Sequence, residues 1–208
     1  MISVKNLQPP IRQMETVFEN PQMPKMFFIS LGDSLTAGIG ATEYKNTVPY
    51  LLAQKLSKDK SVTLLNLAQS GADSSDVLSS QVPKVLAKSP DLITLMIGTN
   101  DVHNFVKVED FESNLVNILT ELKKTKARII VINIPYLASK KTGLFPLDIP
   151  LEIKIKQFNN VIKTVTEKLS VELIDLYTPT RHLNFYSEDG FHPSDEGYRK
   201  WIDYINVN

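Results

Sequence analysis

The sequence predicts an α/β protein in which a five-stranded parallel sheet lies between two layers of helices. Five short apolar segments alternate along the chain with segments whose apolar residues recur at helical spacing. When a helix connects two strands of one sheet, both strands run in the same direction and helices cover both faces. At 208 residues, of which 42% are hydrophobic, the chain suits one domain with a sizeable core. We therefore expect a three-layer α/β/α sandwich.

The predicted strands are short apolar runs that end at turn-forming residues. The first ends at Gly32, the third is followed by Gly98, and Pro135 closes the fourth. The five predicted strands are residues 26–31, 62–67, 92–97, 128–134 and 171–177. With right-handed crossovers, the expected strand order is 2-1-3-4-5, as in flavodoxin-like folds.

Amphipathic helices are predicted between these strands and after the last one. Thr47 can cap the first main helix, with Pro49 in its first turn, and Ser194 can cap the last. Pro83 should kink or split the helix that contains it, because proline lacks an N–H and its ring collides with the preceding turn. The residues of the apolar helix faces are Val48, Leu51, Leu52 and Leu56; Val77, Leu78, Val82, Val85 and Leu86; Phe111, Leu115, Ile118, Leu119 and Leu122; Leu151, Ile155, Phe158, Ile162, Val165 and Leu169; and Tyr198, Trp201, Ile202 and Ile205.

The segment before the first predicted strand differs from the rest of the chain. Residues 1–24 contain Pro9, Pro10, Pro21 and Pro24 and show no clear helical or strand pattern. We interpret residues 1–24 as an N-terminal arm and residues 25–208 as a single domain.

The composition argues against several classes of function. The 23 basic residues balance the 23 acidic residues, so we expect neither a nucleic-acid partner nor stable membrane insertion. The chain contains no cysteine, which excludes disulfides, thiolate metal sites and a cysteine nucleophile. Its three histidines lack metal-motif spacing, so we expect no metal.

The first 25 residues lack the apolar core of a secretory signal, and no stretch approaches the ~20 apolar residues of a membrane span. The chain as written is therefore expected in the cytoplasm, whereas a removed leader would make it secreted or cell-surface. The oligomeric state does not follow from the sequence.

Three candidate site residues lie in the loops that follow the first three predicted strands. Ser34 follows the first strand, Gly71 the second and Asn100 the third. The carboxyl ends of parallel strands meet at one edge of a sheet, which is where such sheets bind ligands. The late loop that carries Asp189 and His192 can fold over the same edge, so the sequence predicts a site there.

These residue types suit acyl transfer. A serine hydroxyl becomes an effective nucleophile when an imidazole takes its proton and a carboxylate orients the imidazole. Asp189 can bond one ring nitrogen of His192 and leave the other for Ser34. The backbone N–H groups of Ser34 and Gly71 and the side-chain amide of Asn100 can stabilise an oxyanion. The alternative is that these residues only form turns and loops, where such residue types are common.

Four sequence blocks resemble those of the SGNH hydrolase superfamily, also called the GDSL esterases and lipases. The blocks are GDSL at residues 32–35, NLAQSG at 66–71, GTND at 98–101 and DGFHP at 189–193, in the order found in the family. The resemblance implies the SGNH hydrolase fold and an enzyme that needs no cofactor. It also implies that Ser34 is the nucleophile, His192 the general base and then acid, and Asp189 the orienting carboxylate, with Ser34, Gly71 and Asn100 forming the oxyanion hole.

The function that we expect is a serine esterase or acylhydrolase acting on a small-molecule ester. We expect it to cleave carboxylic esters with short to medium acyl chains through an acyl-enzyme. Lysophospholipids are candidate substrates of this class. The alternatives with the same machinery are a carbohydrate O-acetyl esterase and an acyl thioesterase. A noncatalytic ligand-binding module of the same fold is a further alternative, because a fold does not determine a function.

Four residues are candidates for lining the substrate cleft. His103 lies close after Asn100, although a surface or cleft-wall role without chemistry is the simpler interpretation, and Phe191 is next to His192. Leu144 and Phe145 belong to the apolar loop 136–150, which forms either a lid or acyl-chain wall, or only the packing of a long loop.

Overall fold

A six-stranded sheet forms the centre of the protein in the computed structural model, which describes residues 15–137 and 148–207. The strands are β1 (Glu15–Phe18), β2 (Lys25–Gly32), β3 (Ser61–Asn66), β4 (Leu92–Met96), β5 (Arg128–Ile132) and β6 (Glu172–Ile174). Their order is β1-β3-β2-β4-β5-β6, and the pairs from β3 to β6 are all parallel. The predicted five-strand order and the α/β/α class are thereby confirmed.

The prediction of five strands was wrong by one, because β1 extends the sheet at its β3 edge. This strand lies inside the segment 1–24 and pairs antiparallel with β3, Glu15 opposite Leu65 and Phe18 opposite Val62. The ring of Phe18 packs edge-on against Tyr50, with centroids 4.9 Å apart. A four-residue strand is too short for its sequence to show a recognisable alternation of apolar and polar residues. Its backbone hydrogen bonds come from pairing with β3, which the local sequence does not reveal.

Nine α-helices are found in the described parts of the chain. They are α1 (Ser34–Ala37), α2 (Val48–Leu56), α3 (Ser74–Asp76), α4 (Val82–Leu86), α5 (Thr99–His103), α6 (Val108–Leu122), α7 (Asp148–Leu169), α8 (Tyr177–Thr180) and α9 (Asp195–Tyr204). Helix α2 packs against α9, whereas α6 packs against α4 and α7. None of the helices in residues 15–137 and 148–207 is long and apolar enough to cross a membrane.

The helix that contains Pro83 is split, as its sequence predicts. A five-residue π-helix, Val77–Gln81, precedes α4, and Pro83 lies in the first turn of α4. A proline nitrogen cannot donate to the preceding turn, and the wider π turn lets the chain continue past it. Segments of this kind often occur at functional sites.

Smaller differences from the expected elements include the end of the last strand and the cap of α2. The last strand ends at Ile174 rather than at residue 177, because Tyr177 begins α8. Thr47 occupies the N-cap position of α2, but its hydroxyl donates to the Tyr44 carbonyl (2.8 Å) instead of capping the helix. Ser194 does cap α9, since its side chain accepts from the Gly197 N–H.

The core between the sheet and the helices contains a pair of packed aromatic rings. Phe111 of α6 and Phe158 of α7 are both fully buried, and their ring centroids lie 4.7 Å apart. This contact joins the two longest helices to each other, and α7 also packs against β6.

Truncating this contact should destabilise the protein strongly. We expect Phe158→Ala to lower the free energy of unfolding by about 3–5 kcal/mol, because it removes a buried ring and leaves a cavity. The matched control is Phe105→Ala, whose ring is 77% exposed and touches Lys154 through a cation–π contact, and which should cost less than about 1 kcal/mol. Urea denaturation measures both, and equal losses would contradict the assignment of this core.

Candidate active site

The turn after β2 places Ser34 at the carboxyl edge of the sheet. Gly32 ends the strand at φ +151°, and a Cβ there would lie 2.3 Å from the Met96 carbonyl oxygen. The Asp33 carboxylate then caps α1 by accepting from the Leu35 N–H at 3.0 Å. Ser34 is the first residue of α1 and is 6% exposed. A glycine is needed here because any side chain would collide with the neighbouring strand.

Ser34, His192 and Asp189 form a continuous chain of hydrogen-bonding contacts. Ser34 Oγ lies 2.9 Å from His192 Nε2, and His192 Nδ1 lies 2.6 Å from Asp189 Oδ2. The serine and the histidine are 158 residues apart in the sequence. The structure thus brings together the three side chains that the sequence analysis selected, in the order hydroxyl, imidazole, carboxylate.

The Asp189 carboxylate is held by several donors besides the histidine ring. Its Oδ1 accepts from the Ser187 hydroxyl at 2.8 Å, the Phe191 N–H at 2.8 Å and the His192 N–H at 2.9 Å. Partial burial acts to raise the pKa of Asp189, but the hydrogen bonds from His192, Phe191 and Ser187 outweigh it and hold the pKa well below its usual value. Asp189 is therefore a carboxylate at neutral pH.

Three hydrogen bonds fasten the first turn of α9, which follows the His192 loop, to the loop after α1. The Tyr198 hydroxyl donates to the Ile39 carbonyl at 2.6 Å. The backbone N–H and the hydroxyl of Thr42 donate to the two carboxylate oxygens of Asp195 at 2.8 and 2.6 Å. Gly40 packs directly against the His192 loop, since a Cβ there would lie 2.4 Å from the Pro193 carbonyl oxygen. These contacts hold the segments that carry Ser34 and His192 against each other.

Gly71 and Asn100 lie at the same edge and are linked to each other. Asn100 Nδ2 donates to the carbonyl of Ala72, the residue after Gly71, at 2.8 Å. A side-chain amide has two N–H donors, so its second N–H can serve a ligand. Gly71 has φ +82°, and nothing lies within 4 Å of the position where its Cβ would be. Its backbone therefore borders open space.

A buried carboxylate holds the loops after β3 and β4 together. Asp101 accepts from the Ser74 N–H at 3.0 Å and from the Ser74 hydroxyl at 2.5 Å, and Asn114 in turn donates to that hydroxyl at 3.0 Å. Burial raises the pKa of Asp101 to about 6, although the Ser74 hydrogen bonds act in the opposite direction. Asp101 follows Asn100 directly, so its bonds to Ser74 tie the segment that carries Asn100 to the segment that follows Gly71.

Asp33, the neighbour of Ser34, is fully buried beside these groups. Burial raises its pKa to about 7 and the charge of Asp101 acts in the same direction, while the hydrogen bond from the Leu35 N–H lowers it. Asp33 therefore takes up a proton far more readily than an exposed aspartate, and its observed contact is that of a helix cap.

The residues predicted to line the substrate cleft have different positions. His103 is exposed at the end of α5, three residues beyond Asn100. Phe191 is half-buried, and its ring meets the His192 ring edge-on at 5.0 Å between centroids. Leu144 and Phe145 lie outside the described residues. In the described ranges, no three His, Asp or Glu side chains come together as a group that could hold a metal.

Sequence reasoning missed the residues that support this site. Ser187 could have been suspected, because it precedes Asp189 by two residues on the same turn. Thr42 and Asp195 are 153 residues apart, and nothing in their local sequence indicates that they meet.

The protonation of Asp33 should affect stability in a defined direction. In the unfolded chain Asp33 loses its proton near the ordinary value of 3.8, whereas in the folded protein it does so near 7. Between these values the folded state binds more protons, so stability falls as the pH rises. We expect the free energy of unfolding of the wild type, relative to Asp33→Asn, to decrease from about pH 4 to 7 and then to level off, because the amide does not titrate. Urea denaturation across this range measures the difference, and parallel curves would contradict the assignment.

The chain is similar to known lipases and acylhydrolases. The model of the GDSL-like Lipase/Acylhydrolase family matches residues 30–200. The chain is 26% identical to the spore germination lipase LipC of Bacillus licheniformis, over 82% of this chain and 90% of that protein.

Solved structures share the fold. One is a lipase/acylhydrolase from Enterococcus faecalis, with a TM-score of 0.71 and 25% identity over 85% of this chain and 93% of that chain. Another is an acetylxylan esterase from Geobacillus stearothermophilus, with a TM-score of 0.70 and 19% identity over 89% and 96%. Because the family model covers most of the chain, including all four sequence blocks, the protein belongs to the GDSL-like lipase/acylhydrolase family of ester-cleaving hydrolases.

Proposed function

We propose that the protein hydrolyses carboxylic esters through a covalent acyl-enzyme on Ser34. The observation that carries this proposal is the chain of contacts from Ser34 Oγ through His192 to Asp189, at 2.9 and 2.6 Å. This is the arrangement that activates a serine hydroxyl for attack on an acyl carbon. Membership of an ester-cleaving family favours this function over that of a noncatalytic binding module.

The first half of the reaction forms the acyl-enzyme. With Nδ1 protonated and bonded to Asp189, His192 presents Nε2 as an acceptor. Ser34 Oγ attacks the acyl carbon while its proton passes to Nε2. The tetrahedral intermediate then collapses, the bond from the acyl carbon to the alcohol oxygen breaks, and Nε2 gives the proton to the leaving alcohol.

The second half releases the acid. A water molecule takes the place of the alcohol and gives a proton to His192 Nε2 as its oxygen attacks the acyl carbon. Collapse of this intermediate breaks the bond to Ser34 Oγ, which regains its proton from His192. Asp189 stays ionised throughout, orients the ring and stabilises the imidazolium that forms in each half.

The oxyanion of both intermediates requires donors that are already in place. We assign this role to the backbone N–H groups of Ser34 and Gly71 and to the second N–H of Asn100 Nδ2. The bond between Asn100 and the Ala72 carbonyl supports this assignment, because it fixes the amide beside the Gly71 loop. Preorganised donors of this kind are worth about 10²–10³ in rate each.

The proposed substrates are esters with short to medium acyl chains, and lysophospholipids fall within this class. The related protein from Bacillus licheniformis is named a lipase, whereas one structural neighbour is an acetylxylan esterase. We assign the half-buried ring of Phe191, which meets the His192 ring edge-on, as an apolar wall for the acyl chain. His103, Leu144 and Phe145 remain predictions as further lining residues.

Removing the nucleophile or the base should abolish the activity. We expect Ser34→Ala and His192→Ala each to lower kcat by at least about 10⁴-fold on p-nitrophenyl butyrate, because neither variant can form the acyl-enzyme by the same route. The matched control is His182→Ala, which alters an exposed histidine and should retain most of the activity. A fluorophosphonate probe should label the wild type but not Ser34→Ala. Equal turnover by folded wild type and Ser34→Ala would refute the proposal.

A substrate panel distinguishes the proposed ester class from its alternatives. We expect kcat/KM to be higher for butyryl and octanoyl esters than for acetylated xylo-oligosaccharides or acyl thioesters, because Phe191 offers the acyl chain an apolar contact. Ser34→Ala serves as the blank for each substrate. A preference for the acetylated sugar would instead assign the protein as a carbohydrate O-acetyl esterase, and a preference for the thioester would assign it as an acyl thioesterase.

A further inference from the structure

The π-helix Val77–Gln81 ends in a fully buried glutamine whose side chain binds backbone. Gln81 Nε2 donates to the Gly32 carbonyl at 2.9 Å, and Gln81 Oε1 accepts from the Gly32 N–H at 3.0 Å. One side-chain amide therefore satisfies both polar groups of the residue that lies two positions before Ser34. Neither the family blocks nor the sequence pattern singled out Gln81.

The position of Gln81 is explained by the geometry of the sheet. On the side of β3, the register of β2 ends with Ser30 opposite Asn66. The next pair of backbone groups on that side belongs to Gly32, where β3 has already ended. Gln81 Oε1 accepts the Gly32 N–H bond that a longer β3 would have accepted. An unpaired N–H in this buried place would be costly.

The same short segment also contacts the loop that carries Gly71. The Gln69 N–H donates to the Gly32 carbonyl at 3.1 Å, so this oxygen accepts from both Gln81 and Gln69. Ser80, the neighbour of Gln81, lies with its hydroxyl 3.4 Å from Gln69 Oε1. The Ala72 N–H in turn donates to the Gln69 carbonyl at 3.2 Å, which closes the turn around Gly71.

We propose that Gln81 is a positioning residue for ester hydrolysis, which clamps Gly32 and thereby fixes Ser34 relative to the Gly71 oxyanion donor. This inference rests on the function proposed above. Gln81 does not touch the reacting atoms. It acts through two backbone bonds, and the nucleophile and the oxyanion loop meet at the Gly32 carbonyl that it holds.

The clamp should affect the chemical step rather than substrate binding. Two distances matter most in the transition state: Ser34 Oγ to the acyl carbon, and the Gly71 N–H to the oxyanion. Misplacing either group by about 1 Å can lower the rate about 100-fold. Loss of the clamp should therefore lower kcat and leave KM nearly unchanged.

The decisive variant is Gln81→Glu, which preserves the shape of the side chain. A protonated glutamic acid can still accept from the Gly32 N–H and donate to the Gly32 carbonyl, whereas an ionised one cannot donate and places a charge against that oxygen. Burial raises the pKa of such a carboxyl toward neutrality. We expect the ratio of kcat for Gln81→Glu to kcat for wild type to fall at least about tenfold between pH 5 and 9.

The controls separate positioning from stability. Gln54→Glu places the same change at an exposed position of α2, and its ratio to wild type should stay constant with pH. Gln81→Met removes both bonds and should lower kcat by about 10- to 100-fold at every pH, with KM changed less than about threefold. All rates are taken per mole of folded protein, as measured by circular dichroism at each pH, so a loss of folded protein alone does not imitate the effect.

A ratio for Gln81→Glu that does not vary with pH, whether near one or uniformly low, would overturn the positioning role. Wild-type kcat in Gln81→Met would do the same. Either result, together with an inactive Ser34→Ala, would leave the esterase assignment intact. An active Ser34→Ala would instead refute the esterase assignment itself.

Discussion

The contact between Ser34 Oγ and His192 Nε2 is the interaction on which the candidate site depends. It joins residues 158 positions apart, so neither local geometry nor a single turn can create it. The sheet places Ser34 just after the end of a central strand. His192 lies in the loop before α9, two residues before the N-cap Ser194. The Tyr198–Ile39 and Thr42–Asp195 bonds then join α9 to the loop after α1. A 2.9 Å contact over this separation requires all these elements to be correctly packed.

Around this contact, buried polar groups are held by specific partners. Asp189 keeps its charge because four donors compensate its partial burial, whereas Asp33 and Asp101 are driven toward the neutral acid by burial. The three carboxyl groups are chemically identical, so their pKa values differ because their environments differ. The same principle explains Gln81, an uncharged side chain that can both donate and accept in a place where a charge would be costly.

Sequence reasoning succeeded where the signal was local or periodic. The apolar runs indicated the five parallel strands, the period of 3.6 residues indicated α6 and α7, and Pro83 indicated the split helix. It failed for β1, because a four-residue strand is stabilised by pairing with β3 rather than by its own pattern. It also extended the last strand to residue 177, where the chain turns into α8 instead.

The sequence by itself determined which residues could carry chemistry and the edge of the sheet at which they would gather. Strand-ending glycines, the spacing of Asp189 and His192, and the order of four motifs are all local properties, and local properties can be read from a chain. Only the tertiary structure decided the distances, the pKa values and the supporting contacts. Gln81 meets Gly32, and Thr42 meets Asp195, because packing brings distant segments together, and the hydrogen bonds and burial that follow exist only in the folded protein.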